Sequence, residues 1–120
     1  MADIGNNPNE LTDLIGRVRD ILEDRAANGR LIRHGEIARE LGREISRSQW
    51  CTILNPIYNE CISIDDPDLT LIVVDQTGYP PFFSQGGEAQ SVRFNFDRHY
   101  ELWQKELERI FATWRARRRT

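Results

Sequence analysis

The chain has 120 residues, of which 39% are hydrophobic and 29% are charged. This length corresponds to one domain, and the balance of apolar and charged residues excludes a chain that is disordered throughout. No apolar run approaches the roughly 18 residues of a membrane span, and the N-terminal segment lacks the basic and apolar regions of a secretion signal. We therefore expect a cytoplasmic protein without a membrane partner, in which Cys51 and Cys61 stay reduced.

The charges are unevenly distributed along the chain. Residues 1–88 contain eight basic and fifteen acidic side chains, whereas residues 89–120 contain eight basic and four acidic ones. Fifteen of the sixteen cations are arginines, which suit carboxylates and phosphates, although a GC-rich coding sequence gives the same bias. The net charge of −3 argues against binding of nucleic acid through a broad basic field.

The first predicted element is a long amphipathic helix. Residues 1–6 are predicted to be disordered, and residues 7–120 to form a single domain. Asn7 is the predicted N-cap of the helix, with Pro8 at its first position and Gly29 at its end. Its apolar residues recur at intervals of three and four, as they do on one face of a helix: Leu11, Leu14, Ile15, Val18, Ile21 and Leu22.

Two further helices are predicted on either side of a tight turn. The first covers residues 35–41 and ends at Gly42, and Ser46 is the predicted N-cap of the second. Pro56 lies within the second helix, so we expect a kink there or a new start capped by Asn55. The buried face of this helix is predicted to hold Trp50, Ile53, Leu54, Ile57 and Cys61.

A β-hairpin is predicted to follow the third helix. Asp65 to Asp68 interrupt the helix, and the β-branched run from Leu69 to Val74 predicts a strand. A turn at residues 76–78 would bring Phe82 and Phe83 back as a second strand, because Gly78 permits a positive φ.

The rest of the chain is predicted to add a short strand and a long helix. The alternation of Val92, Phe94 and Phe96 indicates the strand, and Asp97 is the predicted cap of the helix. No repeat or linker divides the chain, so the class expected is a helix-rich α+β domain. The apolar stripe of the last helix is predicted to hold Tyr100, Trp103, Leu107, Ile110, Phe111 and Trp114.

The order of these elements predicts a winged-helix-like core flanked by long N- and C-terminal helices. Two helices joined by a tight turn and followed by a β-hairpin form the layout of a winged helix-turn-helix domain. In that layout the helix after Ser46 enters the major groove of DNA, and the turn at 76–78 follows the phosphate backbone. The predicted DNA contacts are Arg43, Arg47, Ser48, Gln49, Gln76 and Thr77, with the basic tail residues Arg115, Arg117, Arg118 and Arg119.

Both groups of arginines also have a purely structural explanation. Cations near the end of the last helix offset the helix dipole. Three Glu–Arg pairs stand at the spacing of solvent-facing ion pairs on a helix, namely Glu36–Arg39, Glu40–Arg43 and Glu44–Arg47. Such pairing would leave fewer arginines free to contact DNA.

The segment Arg30 to Ala38, followed by Leu41-Gly42, resembles the opening of the DNA-binding domain of O6-alkylguanine-DNA alkyltransferases and alkyltransferase-like proteins. Asn55-Pro56 stands where that family often has Asn-Pro, and Val73-Val74 with Gly78 is similar to its strand and wing. Residues 84–87 are similar to its Gly-Gly segment. The resemblance covers residues 30–87 and implies a winged-helix scaffold that binds DNA.

The chain departs from this family at the reaction centre. The family's Pro-Cys-His-Arg tetrad is missing, and neither Cys51 nor Cys61 is followed by histidine. The resemblance therefore implies a scaffold without the alkyl-transfer activity.

No catalytic or metal-binding pattern is recognisable, and we expect a non-enzyme without a cofactor or a small-molecule substrate. His34 and His99 lack metal-ligand spacing, as does the run Asp65 to Asp68. DNA binding, in a bacterial or phage DNA transaction, is the first functional hypothesis. The alternative is a small acidic protein that inhibits or neutralises a partner protein, as immunity and anti-defence factors do, with Tyr79, Phe82 and Phe83 as its binding patch.

Overall fold

A computed structural model of the chain describes residues 8–83 and 92–119. Most of this part belongs to four helices, α1 (Pro8–Ala27), α2 (His34–Leu41), α3 (Arg47–Ser63) and α4 (Phe96–Arg119). Four strands of two residues each accompany them, β1 (Ile32–Arg33), β2 (Val73–Val74), β3 (Phe82–Phe83) and β4 (Val92–Arg93). The fold is a helix-rich α+β fold, as the sequence predicts. The predicted disordered start and the Asn7 cap lie outside the described residues.

The ends of the first three helices follow the local signals in the sequence. Gly29 and Gly42 adopt φ angles of +68° and +70°, the left-handed conformation that ends α1 and α2. At the start of α3, Ser46 Oγ accepts a hydrogen bond from the Gln49 main-chain N–H at 3.3 Å, and the Gln49 side chain accepts one from the Ser46 N–H at 2.8 Å. This reciprocal capping box starts α3 at the predicted position.

Two predicted helix starts are wrong. Helix α3 continues through Pro56, so of the two alternatives there the new start capped by Asn55 does not occur, because proline removes one main-chain donor and the remaining hydrogen bonds keep the helix together. Helix α4 is capped by Asn95 rather than Asp97: Asn95 Oδ1 accepts from the Arg98 N–H at 3.1 Å. The Asn95 N–H in turn donates to His99 Nδ1 at 2.9 Å, so both ends of the capping interaction are satisfied.

The predicted pairing of the strands is also wrong. Strand β2 pairs in parallel with β1, and β3 pairs antiparallel with β4, so β2 and β3 do not form the expected hairpin. The predicted turn between them is present, since the Gly78 N–H donates to the Asp75 carbonyl at 3.1 Å. Leu69–Ile72 forms a 3₁₀ turn instead of a strand, because the Asp68 carboxylate accepts from the Thr70 N–H and tightens the backbone there.

The hydrophobic core lies where α1 packs against α3, α4 and the 3₁₀ turn. The predicted stripes meet there: α1 contributes Leu14, Val18, Leu22 and Ala26, and α4 contributes Trp103, Leu107, Ile110 and Trp114. Tyr100, which was predicted to be in the core, lies on the exposed side of α4. In this packing the 3₁₀ turn lies against α1, α3 and α4. One side of α3 is not covered by another element of the described chain.

Candidate functional site

An open groove of about 1280 Å³ runs beside α3. One wall comes from α3 and includes Arg47, Trp50, Cys51, Leu54, Tyr58 and Asn59. The opposite wall includes Tyr79, Pro80, Pro81, Phe82, Arg93 and Phe96. The floor is formed by His34 and by residues of the 3₁₀ turn and β2, namely Asp68, Thr70, Leu71 and Val73.

The helical period explains why α3 serves both the core and the groove. Ile53, Ile57 and Cys61 recur at intervals of four and are buried against α1 and the 3₁₀ turn. Leu54 and Tyr58 each stand one position further along, which rotates them by about 100° towards the groove. Helix α3 thus has one apolar face in the core and a second set of side chains that lines the groove.

Aromatic contacts hold the opposite wall in place. The ring of Tyr79 stacks on Phe94 with centroids 5.7 Å apart, and it meets the edges of Phe96 and Trp103 at 5.4 and 5.9 Å. The Asp75 N–H donates to the Tyr79 carbonyl at 3.0 Å and fixes the turn that precedes the wall. The ring of Tyr79 is therefore held in the wall by three neighbouring aromatic rings.

Phe82 and Arg93 extend this wall as a cross-strand pair. They are direct partners in the antiparallel pairing of β3 and β4, so their side chains share one face of the sheet. Phe82 is 53% exposed and Phe96 is 50% exposed, so two phenyl rings are available to a partner. An arginine beside an exposed aromatic ring suits the recognition of another macromolecule.

Two carboxyl groups of the groove are already bonded to neighbouring threonines. Asp68 is 7% exposed and accepts from the Thr70 N–H at 3.0 Å and from its hydroxyl at 2.6 Å. Burial raises the pKa of Asp68 to about 6, and the Thr70 hydrogen bonds oppose that rise. Asp75 accepts from both the N–H and the hydroxyl of Thr77.

His34 closes the floor of the groove against α3. Its imidazole meets the Trp50 ring edge-on, with centroids 5.0 Å apart. Burial lowers the pKa of His34, and the nearby Asp75 carboxylate opposes that change. A lowered pKa favours the neutral ring at pH 7, which suits a packing role beside tryptophan.

The predicted DNA contacts on α3 are only partly available. Arg47 and Ser48 are exposed in the first turn, and Arg47 has no ion-pair partner in the part of the chain that the structure describes. The Gln49 side chain is used by the capping box, and Arg43 pairs with Glu10 at 3.3 Å. None of the three predicted Glu–Arg pairs is among the ion pairs of the described residues.

Of the predicted contacts in the turn, Thr77 lines the groove. Gln76 and Thr77 are both exposed, and Thr77 shares the groove with Arg47. The fold thus places residues of two separate predicted segments along one groove, although not through the predicted hairpin.

The basic tail lies at the other end of α3. Arg117 donates two hydrogen bonds to the Asp66 carboxylate, and Arg118 lies 2.8 Å from Asp24. The Arg118 hydrogen bond lowers the pKa of the Asp24 carboxyl. Asp66 follows the C-terminus of the 17-residue helix α3, about 25 Å from its first turn. Arg115 is exposed near Gly29, and Arg119 is the last residue of α4.

The predicted protein-binding patch is divided by the fold. Phe83 is 2% exposed and belongs to the core, where its ring stacks on His99 at 5.1 Å. Tyr79 is half-buried in the groove wall, and only Phe82 of the three projects freely. Sequence reasoning missed Arg93 and Tyr58, because nothing in their local patterns indicates that they face one groove.

No family model, curated protein or solved structure matches the chain. The resemblance to the alkyltransferase DNA-binding domain, and the winged-helix interpretation with it, therefore stay predictions. Among the described residues, no helix combines the length and the apolar character needed to cross a bilayer. The same residues contain no group of three or more His, Cys, Asp or Glu side chains placed to hold a metal ion.

Proposed function

We propose that the protein is a non-catalytic binding module that holds a segment of a partner protein in the groove beside α3. The observation that carries this proposal is the exposure of Phe82 and Phe96 in a concave, largely apolar surface. Contiguous exposed apolar surface is uncommon on soluble proteins and usually marks an interaction site. Aromatic side chains with arginine nearby provide much of the binding energy in protein interfaces.

The size of the groove favours a polypeptide over a small molecule. Its volume of about 1280 Å³ exceeds the roughly 300–1,000 Å³ of typical small-molecule pockets. An extended strand or one face of a helix fills such an open groove without closure of the walls. Inhibition of the partner, as an immunity or anti-defence factor exerts it, is one consequence that such binding would have.

Site-specific crosslinking in the native host tests the proposal. A photoreactive phenylalanine derivative is placed at Cys51, which is exposed on the α3 wall, and in a matched chain at Arg39, which is exposed on α2 outside the groove. We expect one protein to be captured from position 51 and not from position 39. We further expect Phe82→Ala to lower the yield several-fold. Equal capture from both positions, or none from position 51, refutes the proposal.

DNA binding is the second candidate, and the exposed first turn of α3 favours it. Arg47 and Ser48 are exposed there, Arg47 lines the same groove as Thr77, and α2 precedes α3 after a short turn as in a helix-turn-helix. This arrangement supports a winged-helix-like mode of binding. It ranks second because the tail arginines pair with carboxylates far from Arg47.

A salt titration of duplex binding tests this candidate. Each phosphate contact contributes about −0.9 to the slope of log affinity against log salt, so Arg47 and its neighbours predict a slope of about −1 to −2. Arg47→Ala should reduce the slope by about one. Undetectable binding at low salt removes the candidate.

A further inference from the structure

We infer that the segment bound in the groove is acidic and aromatic, with carboxylates that pair with Arg47 and Arg93 and apolar side chains that pack between them. This inference rests on the proposed function, because it specifies the chemistry of the same groove. The pairing of charges across the molecule supports it.

Five arginines of the described residues pair with a carboxylate of another part of the fold. Arg19 and Arg25 connect α1 to α3 and α2, and Arg43 connects the turn between α2 and α3 to α1. Arg117 and Arg118 connect α4 to the rest of the molecule. Several other arginines form no ion pair within residues 8–83 and 92–119, and among them Arg47 and Arg93 are the two that line the groove. The groove therefore presents two guanidinium groups without an ion-pair partner in this part of the chain.

The aspartates of the groove are less available to a ligand than its arginines are. The Asp68 carboxylate lies on the floor and is bonded twice by Thr70, and the Asp75 carboxylate is bonded twice by Thr77. Each carboxylate thus has two local donors, whereas each guanidinium has up to five N–H groups to offer. Thr70 and Thr77 therefore occupy the Oδ1 atom of each aspartate, whereas Arg47 and Arg93 offer their N–H groups to a ligand carboxylate.

Apolar side chains line the groove beside Arg93 and along α3 beyond Arg47. Phe82 is the cross-strand partner of Arg93, and Trp50 and Leu54 lie within two turns of Arg47 on α3. A segment in which acidic residues alternate with aromatic or aliphatic ones matches this arrangement. Acidic residues alone would leave the rings exposed, and apolar residues alone would leave the guanidinium groups without partners.

The charge of the groove favours such a peptide over a nucleic acid. Two arginines oppose two aspartates in its lining, and the whole chain has a net charge of −3. A phosphate backbone delivers one negative charge per nucleotide and usually meets several cations along its path. Local pairing with one or two carboxylates needs no broad positive field.

Selection from a library of random short peptides tests the inference. The native chain is compared with Arg47→Glu/Arg93→Glu, and with the control Arg17→Glu/Arg39→Glu, which changes the net charge equally on residues outside the groove. We expect the native chain and the control to enrich peptides rich in Asp or Glu and aromatic residues. We expect the groove variant to bind these peptides at least about tenfold more weakly and to enrich basic aromatic peptides instead.

The outcomes separate this inference from the proposed function. Enrichment of apolar peptides without acidic residues, or the same peptides from the groove variant, refutes the inference and leaves groove binding intact. A failure to enrich any peptide refutes the proposed function as well. Tighter binding of single-stranded oligothymidine than of the selected peptides, lost in the groove variant, overturns the inference in favour of nucleic acid.

Discussion

The indole Nε1 of Trp103 donates a 2.9 Å hydrogen bond to the main-chain carbonyl of Leu71. Trp103 is buried in α4, and Leu71 belongs to the 3₁₀ turn that forms the floor of the groove. The terminal helix therefore supports the floor of the groove through one buried polar contact. A 3₁₀ turn has few hydrogen bonds of its own, so its position depends on such contacts.

We predict that Trp103→Phe lowers the free energy of unfolding by about 2–4 kcal/mol, because it leaves the Leu71 carbonyl without its donor and opens a cavity. Trp114→Phe is the matched control, since the Trp114 indole donates to the partly exposed Glu23 carboxylate at 2.9 Å. Urea unfolding of both variants measures the difference. Equal losses would show that the Leu71 contact has no special role.

The buried Asp68 carboxyl should make stability depend on pH. Its pKa is about 6 in the folded chain against an ordinary value of 3.8, so the folded state binds the proton more tightly than the unfolded state does. Stability from this group therefore rises as the pH falls from above 6 towards 4, and the cost of the buried charge is fully present above 6. We expect Asp68→Asn to be more stable than the native chain at about pH 8, by roughly 1–3 kcal/mol, and to lose this advantage near pH 4.

Thr70→Val provides an independent check on that pH dependence. The Thr70 hydroxyl donates to Asp68 and opposes the rise of its pKa, so its removal should move the transition to higher pH. The measurement is the thermal unfolding of the native chain, Asp68→Asn and Thr70→Val at a series of pH values. A constant difference between Asp68→Asn and the native chain would contradict the assignment.

The capping box at the start of α3 should be worth about 1 kcal/mol. Ser46→Ala removes the acceptor for the Gln49 N–H and is expected to lower the free energy of unfolding by about 0.5–2 kcal/mol. Ser48→Ala removes only the contact between the Ser48 and Ser46 hydroxyl groups at 3.2 Å and leaves the acceptor for the Gln49 N–H in place, so it should cost less than half as much. Chemical denaturation compares the two variants. If both cost the same, the cap does not govern the start of α3.

The two cysteines should react with thiol reagents at very different rates. Cys51 is exposed in the groove, whereas Cys61 is buried and burial raises the pKa of its thiol. We expect one thiol to react quickly in the native protein and the second only on unfolding. Cys51→Ala should abolish the fast phase, and a bound peptide should slow it in the native chain. Similar rates for both thiols would contradict the burial of Cys61.

The tail arginines should contribute to structure and not to binding. Arg118→Ala removes an exposed ion pair to Asp24 and should cost at most about 1 kcal/mol of stability. Arg117→Ala removes a bidentate pair with Asp66, whose side chain is 11% exposed, and a contact with the Trp114 ring, so it should cost more than Arg118→Ala does. Peptide capture by the groove should be unchanged, because the tail lies at the far end of α3. A marked loss of capture in Arg117→Ala would place the tail in the binding surface.

DNA binding, which the resemblance to an alkyltransferase domain implies, and peptide binding in the groove involve overlapping sets of residues. Arg47 and Thr77 belong to both the predicted DNA contact and the groove. Arg93 and Phe82 belong only to the groove. Variants of Arg93 therefore distinguish the two functions, because they should impair peptide binding and leave a duplex contact at α3 unaffected.

The sequence by itself determined the helices and most of their ends. Ser46 with Gln49, and glycines at 29 and 42, act within a few residues of the helix end that they define, so their effect is visible locally. The apolar stripe of α1 likewise follows from the helical period alone. The turn at 75–78 was predictable for the same reason, because Gly78 has a positive φ.

Only the tertiary structure decided which strands pair and which side chains share the groove. Val73 pairs with Ile32 across about forty residues of sequence, and β-branched composition indicates a strand without indicating its partner. Arg93 and Arg47 are likewise distant in sequence and line the same groove, whose floor includes Leu71, the acceptor of the Trp103 hydrogen bond. Local signals act through neighbouring residues, whereas the lining of the groove depends on contacts between elements that are far apart in the sequence.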